Sequence, residues 1–373
     1  MKKILFLTGT RADFGKIKSL ISILDGHQDF QAFVFVTGMH LQKEYGYTLI
    51  EIARCNYKNV HTFENHTHET TMDLTLAKTI EGFSSYCKTV EPDLIVVHGD
   101  RVETLAGAIV GSLNNILVAH IEGGELSGTV DELIRHSVTK LSHIHFVSNK
   151  DAANRLLQMG EMASSIYTIG SPDIDIMFSD DLPSLEIVKE YYQIPFDNYA
   201  IVMFHPVTTE ALDMNQYATN FVEALLEDQN NYIVIYPNND LGSQFIIDNY
   251  RRLQENPRFR VFPSLRFEYF LTLLKSTQFI IGNSSAGIRE APYYGIPIIN
   301  IGSRQQNRAL HADIINVSYE KNAIKEALQL VVNHNPQKSN SDFGNGNSKQ
   351  LFLHSLENND IWNVNHQKQF REI

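Results

Sequence analysis

Three carboxylates stand at a spacing that suits proton transfer. An apolar run, Leu94 to Val97, ends in His98-Gly99-Asp100-Arg101, and a second, Ile116 to Ala119, ends in His120-Ile121-Glu122-Gly123-Gly124-Glu125. A polar loop then leads to Asp131-Glu132-Leu133-Ile134-Arg135-His136. Read as parallel strands joined by a helix, the two runs bring an acid beside a glycine to one edge of a sheet. In open α/β sheets that carboxyl edge is where ligands bind. Asp100, Glu122 and Asp131 are therefore the expected acid–base centre. His98 and His120 precede the acids, and either can orient one.

Other stretches suit an anion. Thr8-Gly9-Thr10-Arg11-Ala12-Asp13-Phe14-Gly15-Lys16 follows the first apolar run. It is not a nucleotide-binding P-loop, because five residues separate Gly9 from Gly15 and Ile17 stands where a magnesium-binding hydroxyl belongs. Two readings stay open: a turn that presents Arg11 to an anionic ligand, or a plain βα turn with Arg11 in water. Gly282-Asn283-Ser284-Ser285-Ala286-Gly287-Ile288-Arg289-Glu290 follows another apolar run. Its small residues let a ligand approach the backbone. Ser284 or Ser285 is expected to cap the next helix, with exposed amides for a phosphate. The glycines flanking the serine pair favour that over an unliganded cap, and Glu290, one turn in, suits ribose hydroxyls. Met203-Phe204-His205-Pro206 ends a further run, and His205 at that edge is expected to steady or protonate a leaving phosphate.

The remaining candidates read as structural. His61, His66 and His68 lack ligand spacing and fall in a threonine-rich stretch, so a solvated loop is expected and no metal site. His143 and His145 alternate on one strand and are expected to pack or to face water. No Ser-His-Asp order occurs, and neither cysteine has a reactive context.

These residues need a scaffold. The chain has 373 residues, 43% hydrophobic and 20% charged, enough for two domains with substantial cores. A formal charge of -12 argues against nucleic acid and anionic membrane as partners. Two cysteines, Cys55 and Cys87, exclude a disulfide framework and fit a reducing cytoplasm. The run Ile4 to Leu7 is too short for a signal peptide, and no stretch has the apolar length of a membrane span. Apolar runs alternate with amphipathic ones, the pattern of βαβ units. Strands are predicted at 3–8, 31–37, 94–98, 116–121, 143–148 and 166–169, then at 200–204, 232–236, 259–262, 278–281, 297–301 and 313–317. Gly170-Ser171-Pro172-Asp173 is the expected boundary, giving a first domain over 1–170 and a second over 171–355. A last helix is predicted near 349–358. The tail 356–373 carries the only tryptophan, Trp362, and is expected to dock back onto the first domain.

With these pieces placed, the chain resembles the UDP-N-acetylglucosamine 2-epimerase family from residue 1 to about 308. The resemblance rests on the Gly9–Asp13, His98–Arg101, His120–Glu125 and Phe204–Pro206 stretches and on Gly282 to Pro292. It looks like the hydrolysing bacterial branch, which makes N-acetylmannosamine for sialic acid. Glu122-Gly123-Gly124 and Asp131 favour that branch, since the non-hydrolysing one usually has Glu-Ala-Gly and a glutamate at those places. The resemblance implies an α/β fold of GT-B type, two Rossmann-like domains with parallel sheets across a cleft. It implies a homodimer that binds UDP-N-acetylglucosamine and UDP and needs no nicotinamide; the lack of a ligand cluster with metal spacing adds the expectation that no metal is needed. By carry-over, Asp100, Glu122 and Asp131 handle protons and His205 assists at the diphosphate. Arg11, Ser284, Ser285 and Glu290 hold UDP, and Arg304 and Arg308 lie near phosphates or sugar. Arg135, Asn238, Ser264, Phe267 and Gly282 complete the expected substrate-binding set.

Overall fold

In the first half of the chain, β4 (Leu94–His98) and β5 (Leu117–Ile121) are buried along their whole length. That explains why their sequences run apolar without alternation: a parallel strand covered by helices on both faces has no wet side. The computed structural model describes residues 1–66, 71–127, 130–305, 314–332, 334, 336 and 343–371. It divides into two compact units.

The first unit carries β1 (Lys2–Thr8), β2 (Phe30–Val36), β3 (Val60–Thr62), β4, β5, β6 (Ile144–Val147) and β7 (Ile166–Thr168). All pairings are parallel, in the order β3-β2-β1-β4-β5-β6-β7. The order reverses between β1 and β4. The second unit carries β8 (Ala200–Met203), β9 (Tyr232–Ile235), β10 (Phe259–Phe262), β11 (Ile280–Gly282), β12 (Ile298–Ile301) and β13 (Ile314–Val317). Its order is β10-β9-β8-β11-β12-β13, again parallel, and reverses between β8 and β11. Each predicted strand is present. Only β3 was not foreseen: it is three residues long, at the sheet edge, inside a stretch read as a loop.

The division falls elsewhere than expected. The first unit runs on through Ser179 and takes up the chain again from Asp342, rather than changing at 170 and 355. Pro172 reads as a breaker, but it sits at the start of helix Pro172–Met177, where a missing amide costs nothing. That helix buries Ile174 and Met177 and packs on helices Arg11–Leu24 and Ser348–Glu357 of the same unit. In the terminal segment, Trp362 stacks on Phe30 at 6.2 Å and lies under Lys2 Nζ. No helix of the described residues is long and apolar enough to cross a membrane.

Gly282 closes β11 at the reversal point with φ +138°. A Cβ there would lie 2.0 Å from the Met203 carbonyl oxygen of the paired strand. Gly282→Ala is thus expected to destabilise by on the order of 3 kcal/mol or more, since clash and backbone strain add. Thermal melting checks this, and an unchanged midpoint would contradict the geometry.

Candidate functional site

The pairing of β4 with β5 sets the acids side by side. His98 lies opposite Ile121, and the Gly99 amide donates to the Ile121 carbonyl at 3.0 Å, so Asp100 and Glu122 emerge just past the same point of the ladder. Each strand-end histidine serves the other strand's acid. His120 touches the Gly99 carbonyl at 2.8 Å through Nε2 and Thr139 Oγ1 at 3.1 Å through Nδ1, which fixes the turn presenting Asp100. His98 places Nε2 3.2 Å from Glu122 Oε2.

Arg135 ties the two acids together. Its guanidinium pairs with Asp100 Oδ2 and donates to the Glu122 carbonyl at 2.6 Å. Asp131 stands four residues earlier on the same helix, Val130–Leu141, so it shares Arg135's face. Glu122 itself has φ +63°, a left-handed conformation that a side chain adopts only under constraint. Its amide is held by the Phe146 carbonyl at 2.9 Å. Asp100 keeps 21% of its side chain exposed and Glu122 only 4%.

Two side-chain partners of Glu122 were missed in the sequence. Ser171 Oγ donates to Oε1 at 2.7 Å, and Lys16 Nζ lies 3.4 Å from the same oxygen. Lys16 Nζ also lies 3.4 Å from Oδ2 of Asp173, which is fully buried. The only sequence signal for Ser171 and Asp173 was the turn chemistry that suggested a boundary.

Arg11 opens helix Arg11–Leu24, whose cap is Thr10 with Asp13 in a reciprocal capping box. Asp13 also takes the Gly9 amide at 3.0 Å and the Thr8 hydroxyl, so it is spent on the turn. Burial is the main cause that pushes its carboxyl up from the ordinary value, against those bonds. Gly9 is required for another reason: a Cβ would meet the buried Glu103 carboxyl carbon at 2.9 Å.

In the second unit Asn283 is the hub. Its side chain accepts the His205 amide at 2.6 Å and donates to the His205 carbonyl at 2.9 Å, continuing the β8–β11 ladder with an amide side chain. Its carbonyl takes Arg304 NH1 at 3.2 Å and Gln305 Nε2 at 3.1 Å. His205 Nδ1 accepts the Asn238 amide at 3.1 Å, which leaves the proton of the neutral ring on Nε2. Asn238 holds His205 by its backbone, while its side chain is engaged by Asp240. Ser303 and Tyr319 share the Glu210 carboxylate, which braces the Arg304 loop.

The serine pair differs from expectation. Ser284 Oγ takes the Ala286 amide at 3.3 Å, but Ser285 is helical and its side chain caps nothing. The helix is only Ala286–Arg289, broken at Glu290 before Ala291–Tyr294, so its dipole is small. The open donors belong to the turn: nothing described accepts from the Ser284 and Ser285 amides. Glu290 is buried, and Ser264 and Phe267 are half-buried around the start of helix Phe267–Lys275. Arg308 and His68 lie outside the described residues.

The other candidate histidines are engaged by neighbours, His61 and His66 while half-buried. His61 stacks on Tyr86 at 4.2 Å, and His66 bonds the Gly38 carbonyl and Gln42. His143 accepts the Val118 amide at 3.0 Å, and His145 pairs with Glu161 at 3.0 Å. Burial holds His40 and His120 down at about 3, so both are neutral in the fold. The unfolded chain protonates them below about pH 6.5. Their contribution is therefore complete above that pH and lost as pH falls from about 6.5 towards 3, by at most about 1.4 kcal/mol per pH unit for each. Urea midpoints should drop between pH 7 and 5, with a shallower slope in His40→Asn. Equal slopes in the two proteins would contradict this.

Comparison with known proteins places the chain. Residues 22–357 match the family described as UDP-N-acetylglucosamine 2-epimerase. A UDP-N-acetylglucosamine 2-epimerase of Neisseria meningitidis serogroup B is 49% identical over 100% of both chains. A hydrolysing UDP-N,N'-diacetylbacillosamine 2-epimerase of Legionella pneumophila is 32% identical over 94% of each. The structure of a Methanocaldococcus jannaschii UDP-GlcNAc 2-epimerase in complex with UDP-GlcNAc and UDP superposes with a TM-score of 0.81 at 23% identity, covering 96% of this chain and 99% of that one. The fold is thus the expected one, two Rossmann-like parallel-sheet domains of GT-B type. With most of its length matched and near-half identity to a full-length relative, the chain belongs to the UDP-N-acetylglucosamine 2-epimerase family.

Proposed function

We propose that the chain is a hydrolysing 2-epimerase, converting UDP-N-acetylglucosamine and water to N-acetylmannosamine and UDP for sialic acid synthesis. The observation that carries this is the pair of strand-end acids, Asp100 and Glu122, joined by Arg135. Carboxylates so grouped suit a reaction that builds positive charge and then moves protons on neighbouring carbons. The bond from carbon 1 to the phosphate oxygen breaks, and its electron pair leaves with UDP. The proton on carbon 2 passes to a carboxylate, and the released pair forms the double bond of 2-acetamidoglucal. Water then adds hydroxyl to carbon 1 and a proton to carbon 2.

Asp100, Glu122 and Asp131 share these proton transfers. On this reading the second unit takes the diphosphate: the Ser284 and Ser285 amides, Arg304 and the Nε2 proton of His205 are its donors, with Arg11 and Arg308 as further cations. Gly282 leaves room for the approach, Glu290 takes ribose hydroxyls, and Asn238, Ser264, Phe267 and Arg135 complete the binding set. Hydrolysis is favoured by Glu122-Gly123-Gly124 with Asp131 and by the name of the Legionella relative. That relative also supports a second reading, a UDP-diacetamido-trideoxy sugar as substrate. We include in the proposal a cytoplasmic homodimer that works without added metal; full activity loss in chelator, restored by magnesium, would refute the last point.

Asp100→Asn and Glu122→Gln should each keep UDP binding and lose on the order of a hundredfold or more in turnover. In deuterated water, N-acetylmannosamine should carry deuterium at carbon 2 from the first turnover. In heavy-oxygen water the label should enter the sugar and not UDP. Glycosidase-like hydrolysis would give N-acetylglucosamine without deuterium. A non-hydrolysing epimerase would leave the labelled sugar on UDP. Product lacking deuterium at carbon 2 would sink the elimination mechanism.

A further inference from the structure

Ser171-Pro172-Asp173, which the sequence offers as a boundary, is built into the floor of the acid site. The Ser171 amide donates to the Phe343 carbonyl at 2.6 Å, so the returning chain pins the turn. Its hydroxyl fixes Glu122 Oε1 directly. Two residues on, the Asp173 side chain is fully buried, with Lys16 Nζ midway between its Oδ2 and Glu122 Oε1 at 3.4 Å from each. Asp173 has no exposed surface with which to meet a substrate.

The charges around Glu122 come from every side. Lys16 approaches from helix Arg11–Leu24, His98 from β4, and Arg135, through the main-chain carbonyl, from helix Val130–Leu141. Asp173 approaches behind Lys16, and the neighbouring Asp175 is occupied by the Ser348 and Lys349 amides. Asp100 differs: it is paired with Arg135. One lysine lies 3.4 Å from both buried carboxylates, so the pull of each on its charge weakens its hold on the other.

We infer that Asp173 is a positioning residue which, by competing for Lys16, sets the protonation of Glu122. The inference rests on the proposal that Glu122 carries a proton in the reaction. Removing the Asp173 charge leaves Lys16 to Glu122 alone, which lowers the Glu122 pKa. Removing Lys16 leaves two facing carboxylates and raises it.

The test is the pH profile of kcat for wild type, Asp173→Asn, Lys16→Gln and the double variant. The limb belonging to Glu122 is the one Glu122→Gln abolishes. That limb should move to lower pH in Asp173→Asn and to higher pH in Lys16→Gln, each by roughly one unit. The double variant should return near wild type. It also serves if Asp173→Asn alone fails to fold, since it removes one positive and one negative charge together. A limb that stays in place while the melting temperature falls would make Asp173 merely structural and overturn the inference. Loss of UDP affinity in the Lys16 variants with no limb shift would overturn it too, by making Lys16 a ligand contact. Deuterium at carbon 2 of the wild-type product, together with an unmoved limb, would sink this inference and leave the proposed reaction standing.

Discussion

Two carboxylates side by side at the edge of a buried sheet repel each other, and the low polarity of their surroundings strengthens that repulsion. Arg135 answers this constraint. One guanidinium takes the Asp100 carboxylate and, with its other arm, the carbonyl of Glu122, so a single buried cation fixes both the charge of one acid and the backbone of the other. A lysine, a point charge without a planar fork, could not hold both at once. The left-handed backbone of Glu122 is tolerable because that carbonyl and the Phe146 bond specify it from two sides.

The rest of the first unit follows from that demand. Neutral, buried His120 can stand against the Gly99 carbonyl without adding charge to a crowded site. Gly123 leaves room beside it: a Cβ there would lie 3.0 Å from His120 Nδ1 and 3.2 Å from Thr139 Oγ1, the two atoms that meet in the brace. Gly124, at φ +75°, passes under the Ala152 carbonyl, 2.3 Å from where a Cβ would be. The glycines after Glu122 are thus the space that the brace and the neighbouring helix require.

Much of this was legible in the sequence. Fully buried parallel strands announce themselves as apolar runs, and Asp100, Glu122 and His205 follow those runs directly, so strands and candidate site were read together. What escaped was non-local or small. β3 is too short and too exposed for any pattern. Lys16 and Ser171 meet Glu122 from far along the chain, and spacing says nothing of such contacts. Pro172 was read by its usual meaning as a breaker, although it also begins helices. Asn283 carried no charge to attract notice, yet its amide side chain continues a β-ladder by geometry alone.

The second unit meets the opposite electrostatic problem, since a chain of net charge -12 is proposed to hold a diphosphate. Screening limits the reach of distant acids to about 10 Å at ordinary ionic strength, so the local donors decide. Those donors are mostly neutral. The Ser284 and Ser285 amides have no acceptor among the described residues, and an imidazole has its proton directed to Nε2 by the Asn238 amide. Arg304 is anchored to the Asn283 carbonyl, which joins it to the same ladder that carries His205. Backbone donors cannot titrate, and they lose little entropy when an anion arrives. A site of this kind can bind a diphosphate firmly and still release it, whereas a cluster of free lysines would hold the departing product as tightly as the substrate.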